Sequence, residues 1–286
     1  MRELGLVDGK IVDLMEPIVA MEDRGHQFGD GVYEVVKVYR KRCFALVPHL
    51  ERLFRSLREL RIPAIYTAEE LAEFHERLIA ESEIEEGYIY LQTTRGVAPR
   101  THGFPDQVVP RLTMSIRPSK PLPSQLVKEG ATAIWLPDER WLRCDIKSLN
   151  LLGNILGKQK AKEANVFEGI MIRDGMVTEG TSTNFFVCKD GVLWTYPASN
   201  LILSGITRSI VKERLAPTLA VPVLEKAFTT AFVESVDEAF VCGTNTEIMP
   251  IVKISGKRIG NGAVGSVTRA LQEQYQSLID EECPKK

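Results

Sequence analysis

The chain has 286 residues, 44% of them hydrophobic and 26% charged, which is the composition of an ordinary globular protein. Its length favours about two domains. A formal net charge of -2 provides no basic surface for nucleic acid or an anionic membrane, so neither is expected as a main partner. No apolar run approaches the roughly 20 residues of a membrane-spanning helix, and M-R-E-L-G-L-V-D-G lacks a signal-peptide segment. We therefore expect a cytoplasmic protein.

The cysteines are scattered, without a C-x-x-C pair or a histidine at the spacing of a zinc site. No metal site is therefore predicted. Most cysteines are interpreted as small buried hydrophobic residues. Cys144 lies close to Lys147, but no base stands beside Cys144. We therefore interpret Cys144, like the other cysteines, as a buried residue and not as a reactive thiol.

The first part of the chain carries the signals of an α+β domain. Asp8-Gly9 between short apolar runs predicts a hairpin, and the β-branched and aromatic run 32–39 predicts a strand. A helix is predicted from Pro48, with leucines at 50, 53, 57 and 60 on one face. Thr67 and Glu70 form a capping box that predicts a second helix. With further strands at 88–94 and 111–116, we predict an N-terminal α+β domain over residues 1–116.

The second part of the chain is separated from the first by a proline-containing segment, which predicts an interdomain linker over residues 117–127. Beyond it, the pattern predicts a larger β-rich domain with peripheral helices over residues 128–286. The predicted strands are 131–136, 169–172, 185–188 and 192–196, and the predicted helices are 154–164, 207–215, 230–236 and 264–278.

Lys147 stands in the segment R-C-D-I-K-S-L-N-L-L-G-N among apolar residues. An unpaired buried ammonium is costly, so such a lysine must reach water, pair with a carboxylate or take part in chemistry. Desolvation would favour its neutral, nucleophilic form. From this segment alone, a Schiff-base lysine and a structural lysine in an ion pair are equally good interpretations.

Three further loops combine glycine with polar side chains: T-E-G-T-S-T-N at 178–184, L-S-G-I-T-R at 203–208 and C-G-T-N-T-E at 242–247. Each by itself is typical of an ordinary turn or helix cap. The free N–H groups at a helix start can also bind a phosphate group. Together with a lysine and the carboxylate of Glu179, these loops indicate a phosphorylated carbonyl cofactor.

The motifs R-G-H-Q-F-G-D-G-V-Y-E, H-L-E-R-L, D-I-K-S-L-N, T-E-G-T-S-T-N and G-I-T-R occur in this order between Gly5 and Leu278. This combination resembles the fold-type IV pyridoxal-phosphate enzymes, the group of branched-chain and D-amino-acid aminotransferases. The resemblance implies an α+β fold with a small N-terminal domain, a larger β-rich C-terminal domain and a cofactor site at the domain interface. It is strongest to the D-amino-acid aminotransferases, which implies pyridoxal 5'-phosphate as the cofactor.

The resemblance also implies the roles of individual residues. Lys147 would hold the cofactor as a Schiff base and move a proton between the substrate α-carbon and the cofactor. Glu179 would face the pyridine nitrogen and keep it protonated, so that the ring can accept electrons. The implied phosphate ligands are Arg52, Ile206, Thr207, Gly243 and Thr244. This sequence departs from the family pattern at Thr181 and Thr183, where serines are common, and at Gly243, where a serine is expected.

The substrate carboxylate would be bound by Tyr33, Arg100 and His102, the last two from the segment T-R-G-V-A-P-R-T-H. A guanidinium fork matches a carboxylate well. The resemblance implies that Arg100 and His102 reach into the partner's site, so the working unit would be a homodimer. It further implies ping-pong transfer from D-amino acids, of the D-alanine type, to 2-oxoglutarate, giving a 2-oxo acid and D-glutamate.

Three alternatives share much of this apparatus. An L-branched-chain aminotransferase has the same cofactor residues, but the R-T-H segment argues against it. An aminodeoxychorismate lyase would use the same lysine to eliminate pyruvate. A non-catalytic pyridoxal-phosphate-binding protein is disfavoured because Lys147 and Glu179 are both present.

Overall fold

The computed structural model describes residues 2–285, which form two compact units. Unit 1 contains residues 2–120, 146–150 and 279–285, and unit 2 contains residues 121–145 and 151–278. The chain therefore crosses between the units more often than a single linker over 117–127 requires. In particular, the short segment around Lys147 belongs with the N-terminal residues, although the sequence pattern assigns it to the C-terminal domain.

Unit 1 is built on a six-stranded antiparallel sheet with the strand order β2-β1-β6-β5-β3-β4. Its strands are β1 Leu4–Val7, β2 Lys10–Val12, β3 Gly31–Tyr39, β4 Arg42–Cys43, β5 Gly87–Thr94 and β6 Arg111–Pro118. Its helices are α1 Arg24–Phe28, α2 Leu46–Glu59 and α3 Ala68–Ser82. Apart from β4, the strands and both long helices were predicted from the sequence, whereas the short α1 was not.

The helices of unit 1 follow the sequence signals closely. The leucines at 50, 53 and 57 of α2 are all buried, and they join the core formed with the sheet. The predicted capping box of α3 is present, because Thr67 N–H donates to Glu70 Oε2 at 2.8 Å and Glu70 N–H donates to Thr67 Oγ1 at 3.2 Å.

Unit 2 contains a nine-stranded mixed sheet with the path β12-β11-β10-β13-β14-β7-β8-β9, and β15 pairs with β14. The parallel pairs are β7 with β8, β7 with β14 and β11 with β12. The strands are β7 Ala131–Pro137, β8 Glu168–Arg173, β9 Met176–Gly180, β10 Asn184–Lys189, β11 Val192–Thr195, β12 Val223–Glu225, β13 Glu238–Gly243, β14 Glu247–Ile254 and β15 Lys257–Arg258.

The helices of unit 2 lie where the sequence places them, with two additions. They are α4 Ser124–Glu129, α5 Leu152–Glu163, α6 Ile206–Ile210, a π-helix Val211–Leu215, α7 Ala216–Thr218, α8 Thr230–Val233 and α9 Ser266–Glu282, whose last residues belong to unit 1. The helix α4 begins in the last, proline-free part of the predicted linker and ends two residues beyond it. The π-helix widens the helix that was predicted as regular. Together the two units confirm the predicted α+β class.

Within residues 2–285, none of the helices has the length and apolar character that crossing a membrane requires.

Candidate active site

The segment around Lys147 is held against the first residues of β3 in unit 1. The Lys147 carbonyl accepts from the Tyr33 N–H at 2.9 Å, and the Lys147 N–H donates to Ser56 Oγ at 3.3 Å. The neighbouring Leu149 N–H donates to Gly31 O at 3.0 Å, so the segment extends the edge of β3. These bonds fix the backbone of Lys147 on both sides.

The Lys147 side chain is half-buried rather than fully buried. Its Nζ lies 4.1 Å from the centroid of the Tyr33 ring, which itself stacks on Tyr90 at 5.6 Å. Within residues 2–285 no carboxylate lies within ion-pair distance of Nζ. The described chain therefore contains no ion pair of Lys147, which was the alternative interpretation of this residue.

A buried charged cluster that the sequence analysis missed lies on β3 and α2. Arg52 donates from Nε and Nη2 to the two oxygens of Glu34, at 2.7 and 2.8 Å, and His49 Nδ1 lies 2.8 Å from Glu34 Oε2. Burial favours the neutral carboxyl, but Arg52 and His49 outweigh it and hold the pKa of Glu34 at about 2. Burial also lowers the pKa of His49. The available signal was a glutamate inside an apolar strand, together with histidine and arginine three residues apart on a helix.

Glu179 is the buried carboxylate of unit 2, at the end of β9. Asn184 Nδ2 donates to its Oε2 at 2.8 Å, the Leu203 N–H donates to both oxygens at 3.2 Å, and Arg140 donates from Nη1 to Oε1. Burial raises the pKa of Glu179 to about 7, against the opposing effect of Arg140. The bonds from Arg140, Asn184 and Leu203 favour the carboxylate form, so burial and these donors act in opposite directions on the protonation of Glu179.

Arg140 belongs to a further ionic network that was not predicted. Its guanidinium donates to both oxygens of Asp138, at 2.9 Å, and Arg173 also donates to Asp138 at 2.9 Å. Burial favours the neutral form of Asp138, but the two arginines hold its pKa at about 2. Arg140 is thereby fixed by Asp138 while it contacts Glu179.

The hydroxyl-rich turn after Glu179 is organised by a second buried carboxylate, Glu168. Thr181 Oγ1 donates to Glu168 Oε1 at 2.5 Å, and Thr183 Oγ1 donates to Oε2 at 3.0 Å. Lys158 Nζ also lies 3.3 Å from Oε1. Both threonines keep the hydroxyl of the serines that the resemblance leads us to expect, and each hydroxyl has an acceptor on Glu168.

The three polar loops of unit 2 lie next to one another. Besides the bond from Leu203 to Glu179, Asn184 Nδ2 donates to Leu203 O at 2.8 Å. Gly205 stands before the first turn of α6, and a Cβ there would meet Asn184 Oδ1 at 2.1 Å, so this close approach requires glycine. A Cβ at Gly243 would meet only ordinary contacts, the nearest being a backbone oxygen at 3.5 Å. Packing would therefore also accept the serine expected at this position.

The predicted phosphate ligands of unit 2 lie at the start of α6 and at the end of β13. Ile206 and Thr207 are the first residues of α6, where backbone N–H groups have no partner within the helix. Gly243 ends β13, and Thr244 follows it in a turn in which the Thr246 N–H donates to Gly243 O at 3.1 Å. Such N–H groups suit the oxygens of a phosphate.

Arg100 and His102 lie on an exposed loop of unit 1. The Arg100 guanidinium stands 4.8 Å from the centroid of the Phe28 ring, and the His102 ring meets the same ring edge-on at 5.8 Å. In the part of the chain that the structure describes, no hydrogen bond, ion pair or ring contact joins either residue to Tyr33. Within the described chain, Arg100 and His102 are therefore brought together on the Phe28 ring, while no direct contact of these kinds links them to Tyr33.

The chemistry of these donors fits pyridoxal phosphate. Unit 1 supplies a half-buried lysine without a carboxylate partner, beside an aromatic ring. Unit 2 supplies a buried carboxylate whose raised pKa suits a shared proton, together with a helix start and a glycine loop suited to phosphate.

Comparison with known proteins places the chain in a family. Residues 31–254 match the family described as amino-transferase class IV, so the chain belongs to the class IV aminotransferases. It is thus a pyridoxal-phosphate-dependent aminotransferase of fold type IV, which confirms the expected fold, cofactor and enzyme class.

The relatives identify the part of the family to which the chain is similar. It is 43% identical to a D-alanine aminotransferase of Staphylococcus epidermidis, over 96% of this chain and 96% of that protein. The structure resembles the branched-chain amino acid aminotransferase of Escherichia coli with a TM-score of 0.93 at 25% identity, over 100% and 97% of the two chains. It also resembles the 4-amino-4-deoxychorismate lyase of Pseudomonas aeruginosa, with a TM-score of 0.84 at 26% identity, over 96% and 98%. The predicted resemblance to D-amino-acid aminotransferases is confirmed.

Proposed function

We propose that this chain transfers the amino group of D-amino acids, D-alanine among them, to 2-oxoglutarate, giving a 2-oxo acid and D-glutamate. The observation that carries the proposal is the 43% identity to a D-alanine aminotransferase over 96% of both chains. The branched-chain aminotransferase and the lyase share the fold at only 25% and 26% identity. Fold alone does not separate the three reactions, so the sequence similarity decides among them.

Lys147 would be the amine that binds the cofactor and the base that moves the substrate proton. When bound, pyridoxal phosphate supplies an electron sink for the pair left behind as the α-proton leaves. The fixed backbone of Lys147, and the absence of a carboxylate near its Nζ within residues 2–285, support this role. Tyr33, whose ring lies beneath Nζ, would orient the lysine and contribute to binding of the substrate carboxylate.

Glu179 would face the pyridine nitrogen and keep a proton there. Its raised pKa places it near neutrality, so a proton shared with a ring nitrogen is accommodated without a large cost. The Arg140 contact and the Leu203 and Asn184 bonds would hold the carboxylate in one orientation.

The phosphate group would be bound by Arg52 together with Ile206, Thr207, Gly243 and Thr244. The helix start and the glycine loop offer backbone N–H donors, which suit phosphate oxygens. The Arg52 guanidinium is fixed by two bonds to Glu34, so it would meet an anion without losing side-chain freedom on binding.

We further propose a homodimer in which Arg100 and His102 of one chain bind the substrate carboxylate in the partner's site. Their exposure and their lack of contact with Tyr33 within the described chain support this arrangement. Large exposed hydrophobic side chains also favour a covering partner. They include Met21, Val109, Leu152, Ile155 and Leu156, exposed by 86, 72, 76, 57 and 59%.

A cytoplasmic location is proposed as well. All five cysteines, which lie within residues 2–285, are free thiols, and four of them are buried. Free thiols are usual in proteins of a reducing compartment.

The test of the reaction is a half-reaction of the purified, cofactor-loaded enzyme with D-alanine, L-alanine or L-leucine, each supplied alone. We expect D-alanine to remove the visible absorption of the lysine-bound cofactor and to release pyruvate in equal amount, while L-alanine does neither. Bleaching by L-amino acids would support a branched-chain aminotransferase instead. Absence of any response would support the lyase or a non-catalytic binder, and pyruvate release from aminodeoxychorismate would then separate those two.

The test of the lysine compares Lys147→Ala with Lys160→Ala, an exposed lysine on α5. We expect the first substitution to abolish both the visible band and transamination, and the second to leave both unchanged. Retained turnover in Lys147→Ala would contradict the assignment.

The test of the dimer uses two impaired variants, Lys147→Ala and Arg100→Ala, mixed after partial unfolding and refolding. If Arg100 acts in the partner's site, a mixed dimer contains one site with both residues intact. Activity at low D-alanine concentration should therefore exceed the sum of the separate variants. If Arg100 acts within its own chain, no mixed dimer has an intact site and no recovery will occur.

A further inference from the structure

The loop that carries Arg100 and His102 is exposed, yet both side chains rest on one aromatic ring of unit 1, that of Phe28. The Arg100 Cζ lies 4.8 Å from the ring centroid, within the range of a cation–π contact. The His102 ring meets the same ring at 5.8 Å and 63°, which is edge-to-face geometry. Phe28 is therefore the common support of two side chains that otherwise project from a loop.

The Phe28 ring is itself placed by a buried arginine. Arg24 is 3% exposed, and its Cζ lies 4.9 Å from the Phe28 centroid. The same guanidinium donates from Nη1 to Thr101 O at 2.7 Å, between the two loop residues that meet Phe28. Arg24 thus fixes the loop backbone at Thr101. It also fixes the Phe28 ring, on which the side chains of Arg100 and His102 rest.

Arg24 is held in turn by Asp30. Its Nε donates to Asp30 Oδ2 at 2.8 Å, and Arg95 donates to the same carboxylate at 2.7 and 3.0 Å. Backbone bonds tie the two segments together, since the Arg24 N–H donates to Gly96 O at 2.9 Å. The short helix α1 and the loop are therefore parts of one connected structure.

We propose that Phe28 is a positioning residue for substrate binding, which sets the side chains of Arg100 and His102 in the orientation that receives the substrate carboxylate. The inference rests on the proposed role of those two residues. It assigns a function to the Q-F-G part of R-G-H-Q-F-G-D-G, whose phenylalanine makes its ring contacts with Arg24, Arg100 and His102. Phe28 acts through the loop residues, so its loss should weaken binding of carboxylates and leave the bond-making steps intact.

The experiment compares Phe28→Ala, Phe28→Leu and Phe28→Tyr in the loaded enzyme. Losing the cation–π contact of Arg100 and the edge-to-face contact of His102 at a partly exposed site should raise the KM for D-alanine and for 2-oxoglutarate about tenfold. We expect kcat and cofactor content to stay close to those of the unchanged enzyme. Phe28→Tyr retains the ring and should restore KM, whereas Phe28→Leu retains apolar volume only and should not.

A readout independent of turnover is the affinity for propionate, a carboxylate with neither an amino nor a keto group, measured by isothermal titration. Propionate binding should weaken about as much as KM rises in Phe28→Ala and in Phe28→Leu, because the same contacts are lost. The thermal midpoint and circular dichroism identify a variant that fails to fold. If Phe28→Ala fails to fold, the milder Phe28→Leu is used for the test.

Arg100→Ala distinguishes failure of this inference from failure of the proposed carboxylate clamp, by which we mean binding of the substrate carboxylate by Arg100 and His102. If Arg100→Ala raises KM while Phe28→Ala and Phe28→Leu leave it unchanged, the positioning role of Phe28 is wrong. The carboxylate clamp is then supported. If Arg100→Ala leaves KM unchanged, the clamp itself is wrong and the inference falls with it. A fall in kcat or in cofactor content, at unchanged KM, would also overturn the inference.

Discussion

Replacing Glu34 by glutamine tests the buried cluster that the structure adds to the sequence analysis. Glu34 is fully buried, and its carboxylate accepts two bonds from Arg52 and one from His49. Glutamine has the same shape but no charge, so Glu34→Gln removes the charge that these two side chains face while the packing is retained.

The expected size follows from the pKa and from the burial of the partners. A pKa lowered from 4.5 to about 2 corresponds to roughly 3 kcal/mol in favour of the ionised carboxylate in the folded state. Breaking a buried ion pair by removing one charge costs about 3–5 kcal/mol, because the other charge stays desolvated. We therefore expect Glu34→Gln to lower the free energy of unfolding by about 3 kcal/mol at pH 7.

The effect should also depend on pH in a defined direction. Because folding lowers the pKa of Glu34, its stabilisation is complete above about pH 4.5 and is lost as the pH falls towards about 2. The difference between the unchanged protein and Glu34→Gln should therefore shrink over that interval.

The measurement is urea unfolding followed by circular dichroism between pH 7 and pH 3. Glu73→Gln, on the exposed face of α3, is the matched control and should change stability by less than about 0.5 kcal/mol. A loss below about 1 kcal/mol in Glu34→Gln at pH 7, or a difference that stays constant down to pH 3, would refute the reasoning.

Three further predictions concern packing and the loops. Leu53→Ala, at a site 1% exposed, should lower the free energy of unfolding by about 2–5 kcal/mol in urea titrations, and a loss under about 1 kcal/mol would contradict the core assignment. Thr183→Val removes a donor to the buried Glu168 and should cost about 1–3 kcal/mol, whereas Thr183→Ser should keep most of that stability; equal losses would exclude the hydroxyl as the cause. Gly96 has φ +107°, and a Cβ there would lie 2.1 Å from a carbonyl oxygen, so Gly96→Ala should lower the thermal midpoint. Gly103 has open space around it, so Gly103→Ala should have the thermal midpoint of the unchanged protein. Equal midpoints for the two glycine variants would show that the strain is absent.

Much of the fold was predicted from the sequence because local sequence patterns specify its helices and turns. The leucine spacing of α2, the capping box of α3 and the Asp8-Gly9 turn each act within a few residues of the chain. Their physical cause is local backbone geometry and one-sided burial, and the structure places each where the pattern predicts. The short α1 escaped because five residues show no helical periodicity.

The candidate site was only partly readable. Lys147, Glu179 and the glycine-hydroxyl loops were found because their residue types and order match a family pattern. The charged partners were missed: Glu34 meets Arg52 across 18 positions, and Arg140 meets Glu179 across 39. A charged residue by itself does not reveal which distant charge it faces, and surface exposure is its usual state.

The sequence by itself determined the α+β class, most helices and strands, the family and the residues that carry its chemistry. These follow from short-range periodicity and from motifs whose residues are given directly by the chain. Only the tertiary structure decided that Lys147 belongs with unit 1, that Phe28 supports both Arg100 and His102, and that a buried carboxylate organises the turn after Glu179. The reason is that burial and ionic pairing depend on which distant segments meet, and the energies of such contacts exist only once the chain has folded.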